Sequence, residues 1–213
     1  MPDGGWEDLV AQDFVGGPSC LVVGVDEVGR GALAGPVTAA CVVFPPPVAR
    51  FAGFGIGDSK SISREKREAL SRWITENALH TAFGWASVEE IEQLNIRGAT
   101  LLSMKRAVRT LPGSLFSDHG VLLALDGMDR LPDCPFPQRA IVGGDREILS
   151  IAAASILAKV ARDRYMAEID SLSPEYRFRT HKGYGTEEHR EAIRRHGLSR
   201  HHRALFCRKA LGL

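Results

Sequence analysis

The run Cys20-Leu21-Val22-Val23-Gly24-Val25 is apolar and of strand length, and it ends in two acids, Asp26-Glu27, followed by Val28-Gly29-Arg30-Gly31. Such a run predicts a buried strand. Carboxylates at the end of a buried strand are costly unless positive charge meets them. A divalent cation is the usual partner. The glycines that follow let backbone N–H and C=O groups approach a ligand closely.

The feature repeats. Residues 121–125 form a second apolar run, ending at Asp126-Gly127, and 138–142 a third, leading into Gly143-Gly144-Asp145. Strands lying side by side and ending together place Asp26, Glu27, Asp126 and Asp145 in one cluster. Four such groups do not all stay ionised in close company without cations. Two Mg²⁺ or Mn²⁺ ions, which take oxygen ligands, resolve the conflict. Such a pair drives phosphodiester hydrolysis, one ion activating water and the other stabilising the leaving oxygen. Neighbouring strand residues point to opposite faces, so Asp26 and Glu27 share a site only if the strand breaks there, as Gly29 and Gly31 permit. Taken singly, Asp126-Gly127 and Gly144-Asp145 are also ordinary turns.

At 213 residues the chain makes one large domain, or one domain with a small appendage. Residues 1–18 carry Gly4-Gly5 and Gly16-Gly17-Pro18 without a clear period and are expected to be a loose extension, with the folded domain over 19–213. Strands are expected at 20–26, 37–44, 81–87, 121–125 and 138–142. Helices are expected over 69–78, from a Ser87–Glu90 capping box, over 101–111, and over 149–172, the longest. From about 173 the chain reads as helical and basic. This alternation predicts an α/β class with a mixed sheet.

Net charge is +1, so the whole molecule carries no nucleic-acid signal. From Tyr176 onward, however, ten basic residues face three acids, and five of the seven histidines lie there. A basic end suggests a polyanion partner; a solvated helical surface gives the same pattern. The four cysteines have no zinc or redox spacing, and Cys20 and Cys41 are expected to be buried and reduced. The chain shows no signal peptide and no run long enough to span a membrane, which points to the cytoplasm. Gly55-Ile56-Gly57-Asp58-Ser59-Lys60 lacks the order of a phosphate loop, and Ser155 lacks the glycines of a nucleophile elbow.

Seven blocks occur in register: Asp26-Glu27-Val28-Gly29-Arg30-Gly31, Asp58-Ser59-Lys60, Leu94-Asn95-Ile96, Leu125-Asp126-Gly127, Gly144-Asp145, the stretch from Ile151 to Asp163, and His181-Lys182-Gly183-Tyr184-Gly185-Thr186. Over residues 20–208 the chain resembles bacterial ribonuclease HII. The resemblance implies a ribonuclease H-like fold, a mixed five-stranded sheet flanked by helices with a helical C-terminal portion. It implies cleavage of the RNA strand of RNA–DNA hybrids and incision 5′ of single ribonucleotides in duplex DNA, leaving a 3′-hydroxyl and a 5′-phosphate. By motif, Asp26, Glu27, Asp126 and Asp145 become the metal-binding catalytic acids. Gly29, Arg30 and Gly31 become the backbone loop that reads the 2′-hydroxyl, and Tyr184 the aromatic on the sugar at the RNA–DNA junction. Lys60 and Lys182 become candidate phosphate contacts. The expected partners are hybrids and ribonucleotide-containing duplexes, with no membrane, and the expected state is a monomer. The 2′-hydroxyl alone distinguishes RNA from DNA at one position, and backbone N–H and C=O groups suit a group that both donates and accepts.

The chain departs from the family at Gly144, where lysine is common, and at Arg146, Glu147 and Ile148, where a small or basic residue and a serine often follow the fourth acid. An acid at 147 near the site would repel phosphate. Two other readings stand beside the first: a resolvase-like DNA nuclease, and a nucleic-acid-binding protein of the same fold with little catalysis. The Gly-Arg-Gly loop argues against the former, since DNA has no 2′-hydroxyl.

Overall fold

A computed structural model describes residues 1–13, 20–57, 62–118 and 120–212. Its centre is a five-stranded sheet of β1 (Leu21–Val28), β2 (Val37–Val43), β3 (His80–Ala86), β4 (Val121–Asp126) and β5 (Gln138–Ile141), in the order β3-β2-β1-β4-β5. β1 pairs antiparallel with β2 and β2 with β3, whereas β1–β4 and β4–β5 are parallel. The mixed α/β sheet expected from the sequence is therefore present.

Alternation along the strands divides the core. Val23, Val25, Leu123 and Leu125 face α3 (Val88–Arg109), packing with Met104, Ala107 and Val108. On the other face, Val22, Leu122 and Ala124 meet Ile151 of α5 (Leu149–Leu172). This helix has the bounds its apolar pattern predicts. Its approach to β1 requires Gly24, where a Cβ would lie 2.2 Å from the Ser150 carbonyl carbon. Val22, Gly24 and Asp26 share that face, so β1 presents Asp26 to α5.

α3 covers both the capping-box helix and the 101–111 helix. It is broken at Asn95, whose φ is 56°, and the Asn95 side chain accepts from the N–H groups of Arg97 and Gly98. The capping box itself is formed by Ser87 and Glu90. α2 (Arg64–Asn77) starts earlier than its apolar stripe suggests, at the Ser63 cap.

The loose extension expected over 1–18 is corrected in part: Gly5–Asp13 form a helix, α1. Two acids hold it. The buried Glu7 carboxylate accepts from the N–H groups of Leu149 and Ser150 at 3.1 and 2.8 Å, capping the start of α5. Asp8 accepts from Val48 and Ala49. Residues 14–18 lie outside those described.

After α4 (Gly113–Asp118), β4, β5 and α5, the chain ends in three helices, α6 (Phe178–His181), α7 (Glu187–His196) and α8 (Ala204–Leu211). They wrap the Gly29–Pro36 segment: Leu33 N–H donates to Gly183, and Arg203 N–H donates to Leu33. All four cysteines are free thiols; Cys20, Cys41 and Cys207 are buried. Among the described residues no helix is long and apolar enough to cross a membrane.

Candidate active site

The ends of β1 and β4, the turn after β5 and one helix meet at a cavity of about 380 Å³, lined by Asp26, Glu27, Val28, Asp126, Asp145, Ser155, Lys159 and Tyr184. A groove of about 650 Å³ elsewhere, lined by Trp85, Tyr165, Arg106 and Arg200 among others, is larger but holds none of the four acids.

The way Asp26 and Glu27 come to share a cavity differs from the sequence expectation. β1 does not break at the acids, because its ladder with β2 continues through Val28. The break is next door. Pairing of β1 with β4 stops at Val25↔Leu125, which opens a notch at the end of the sheet. Asp26 enters it from the α5 face, buried at 5 % exposure. Its carboxylate accepts from Glu27 N–H at 2.7 Å and is hydrogen-bonded to the Ser155 side chain. Glu27 enters from the other face and pairs with Arg30 at 3.3 Å.

Asp126 ends β4, and its carboxylate accepts from Gly144 N–H at 2.8 Å. That bond ties the end of β4 to the short 3-10 turn Gly144–Arg146 that carries Asp145. At Gly144 a Cβ would lie 2.6 Å from the Ile151 Cδ1 atom. Glycine is thus what lets this turn sit against α5. Glu147, expected to trouble phosphate, does not line the cavity. It lies with Trp6, Arg130 and Arg139 in a separate depression.

The charges are in conflict. Burial, then the charges of Glu27 and Asp126, push the Asp26 carboxyl well above its ordinary range. Burial raises Glu27 as well, against the pull of Arg30. Asp126 is raised by burial and by Asp145. An all-oxygen donor set whose members repel one another suits hard divalent cations. Among the described residues no group of three or more His, Cys, Asp or Glu is placed to hold a metal ion. An open arrangement fits Mg²⁺-type ions, which bind through one or two carboxylates and leave positions for water and substrate phosphate.

Behind the cavity the Gly-Arg-Gly turn is held by two fully buried arginines. Arg162 of α5 donates to the carbonyls of Pro36, Ala34 and Lys182, each at about 3 Å. Arg203 donates to Gly35 and, at 2.9 Å, to the Arg30 carbonyl. Gly29 has a φ of 98°, and a Cβ there would lie 2.3 Å from Arg162 Nε. Gly31 stands in open space. Tyr184 lies over the same frame, its ring 5.3 Å from the Arg162 guanidinium carbon and 5.6 Å from Lys159 Nζ.

The structure thus brings together Asp26, Glu27, Asp126, Asp145 and Tyr184, with Arg30 attached through Glu27. Lys182 is not among the lining residues; its ammonium donates to the Arg179 carbonyl, and burial lowers its pKa. Lys60 lies outside the described residues. Sequence reasoning missed Ser155, Lys159, Arg162 and Arg203. The first three had a signal: they fall at i, i+4 and i+7 of α5, a polar line within an alanine-rich helix.

Comparison with known proteins gives concordant results. A model of the family described as Ribonuclease HII matches residues 23–209. Ribonuclease HII of Desulfitobacterium hafniense is 49% identical over 186 residues, covering 87% of this chain and 68% of that protein. The crystal structure of ribonuclease H2 from Pyrococcus horikoshii superposes with a TM-score of 0.70 at 20% identity, covering 90% of this chain and 97% of that one. Bst-RNase HIII in complex with Mn²⁺ gives 0.66 at 20% identity, covering 96% and 73%. At these identities the two solved structures speak for the fold.

Proposed function

The chain belongs to the ribonuclease HII family, and on that premise we propose that it cleaves the RNA strand of RNA–DNA hybrids and incises duplex DNA 5′ of single embedded ribonucleotides. The observation that carries this reading is the cavity itself: four carboxyl groups from the ends of β1 and β4 and the turn after β5, three of them with raised pKa, beside a glycine turn and a tyrosine.

Asp26 and Asp126, completed by Glu27 and Asp145, would hold two Mg²⁺ or Mn²⁺ ions, which would supply activation of water and stabilisation of the leaving oxygen. The protein supplies the rest. Ser155 and the Glu27 N–H fix the Asp26 carboxylate, and Gly144 N–H fixes Asp126. The backbone of Gly29, Arg30 and Gly31 addresses the 2′-hydroxyl as both donor and acceptor. Arg203 keeps the Arg30 carbonyl in place, Arg162 holds the Ala34 and Pro36 carbonyls just beyond the turn, and Tyr184 packs on the sugar. The catalytic unit runs from β1 to α8, with α1 joined to it through Glu7.

The test is turnover of a labelled RNA–DNA hybrid with Mg²⁺, Mn²⁺ or chelator. Chelator is expected to stop cleavage. Asp126→Asn is expected to lower kcat by more than about 100-fold, since removing a group that only supports a metal ligand already costs about 10–100-fold, while hybrid binding persists. Near-normal turnover by Asp126→Asn contradicts the assignment.

A further inference from the structure

The C-terminal helices bury three histidines that take no part in the chemistry above. His181, His189 and His202 are 7 %, 0 % and 4 % exposed. They lie against Tyr176 and Phe178, with the His181 and His189 rings stacked at 4.1 Å. Their hydrogen bonds have a direction. Ser199 N–H donates to His202 Nδ1 at 2.9 Å, and the Ser199 hydroxyl lies 2.8 Å from the same nitrogen. The proton of His202 therefore sits on Nε2. That atom is 3.1 Å from His189 Nε2, which must accept. The proton of His189 is then on Nδ1, 3.0 Å from the Tyr184 carbonyl oxygen. His181 works on the same loop: its Nδ1 accepts from Gly183 N–H, and its Nε2 faces the Tyr176 carbonyl at 2.7 Å.

We propose that Ser199, His202 and His189 form a one-way hydrogen-bond relay that positions Tyr184, making the two histidines positioning residues for recognition of the ribose–deoxyribose junction. This rests on the role given to Tyr184 above. A relay of neutral imidazoles is the only arrangement in which every nitrogen has a partner of the right kind. A charged His189 places two N–H groups nose to nose with His202. Burial agrees: it lowers His189 to about 4 and His202 to about 3. The relay fixes the backbone of Tyr184, so the ring is held against Lys159 and Arg162 in the wall of the acid-lined cavity before substrate arrives. A single ribonucleotide offers one junction to this ring, while a long hybrid offers many equivalent sites. Loss of the relay therefore weakens the former substrate more.

Two measurements test this. Nitrogen-15 imidazole spectra of the whole protein at neutral pH are expected to show His189 protonated on Nδ1 and His202 on Nε2. His189 protonated on Nε2, or charged, overturns the proposal. The second compares kcat/KM on a duplex with one ribonucleotide and on a long hybrid, below the melting temperature of every variant. His189→Phe keeps a ring but has no donor. It is expected to lose about 10-fold on the single-ribonucleotide duplex relative to the hybrid, the size of one lost buried hydrogen bond. His189→Asn, which keeps an N–H near the Nδ1 position, is expected to recover most of that ratio. Tyr184→Ala run in parallel separates the two ideas. If Tyr184→Ala shifts the ratio and His189→Phe does not, the relay is wrong. If Tyr184→Ala leaves the ratio unchanged, the role of Tyr184 falls, and the recognition role of the relay with it.

Discussion

Asp26 shows at the scale of one residue how a working site opposes stability. Its carboxyl is buried and faces Glu27 and Asp126, which raises its pKa. A folded-state pKa above the unfolded value means that the folded state holds the proton more tightly, so the ionised group opposes folding at neutral pH. Asp26→Asn removes that opposition while its side-chain oxygen still accepts from Glu27 N–H. We expect this variant, in chelator at neutral pH, to melt higher than wild type and to be inactive; a lower melting temperature contradicts the electrostatic account. The acids were legible in the sequence because the cost of a carboxylate at the end of an apolar strand is local. Ser155 and Lys159 left only a faint trace, a polar line along the alanine-rich α5, because the pattern shows that they share a face and not what that face meets. Arg162 and Arg203 were hidden for another reason: their partners are backbone carbonyls more than a hundred positions away.

Elements position these residues, and two joints matter most. At the start of α5, Glu7 closes two N–H groups that the helix leaves open. Glu7→Ala is expected to cost about 1–2 kcal/mol, as loss of a helix cap does. Calorimetry should show a fall of about 2–4 °C for each kcal/mol at this chain length. No change would mean that α1 does not hold α5. At the Gly29 turn, the φ of 98° and the contact with Arg162 leave no room for a side chain. Gly29→Ala is expected to destabilise by about 1–3 kcal/mol and to lower cleavage by displacing the Arg30 carbonyl. The strands, α3 and α5 were readable from period and caps. α1 was not, because a helix of nine residues depends on distant partners, here α5 and residues 48–49. The joint between Asp26 and Glu27 was misjudged for a similar reason, since the strand that ends is β4, a hundred residues on.

In the whole molecule two sets of buried groups respond to acid in opposite directions. Asp26, Glu27 and Asp126 have raised pKa values, so the metal-free protein gains stability from them as pH falls from neutral through those values. His189 and His202 are lowered from 6.5 to about 4 and about 3. The unfolded chain therefore takes up protons first, and stability falls as pH drops below 6.5. Divalent cations keep the carboxylates ionised and remove the gain. Melting temperature is thus expected to fall more steeply below pH 6.5 with saturating Mg²⁺ than with chelator. Parallel curves contradict the coupling of metal to these acids.

The central claim is that one cavity joins metal-dependent hydrolysis to recognition of a 2′-hydroxyl. Its most direct test is an end-labelled DNA duplex with one ribonucleotide beside an identical all-DNA duplex, each incubated with Mg²⁺, Mn²⁺ or chelator. The account predicts a metal-dependent nick 5′ of the ribonucleotide and an intact all-DNA duplex. Cleavage of both duplexes contradicts it and points to a resolvase-like nuclease; binding without cleavage of either contradicts it and leaves a nucleic-acid-binding protein of this fold.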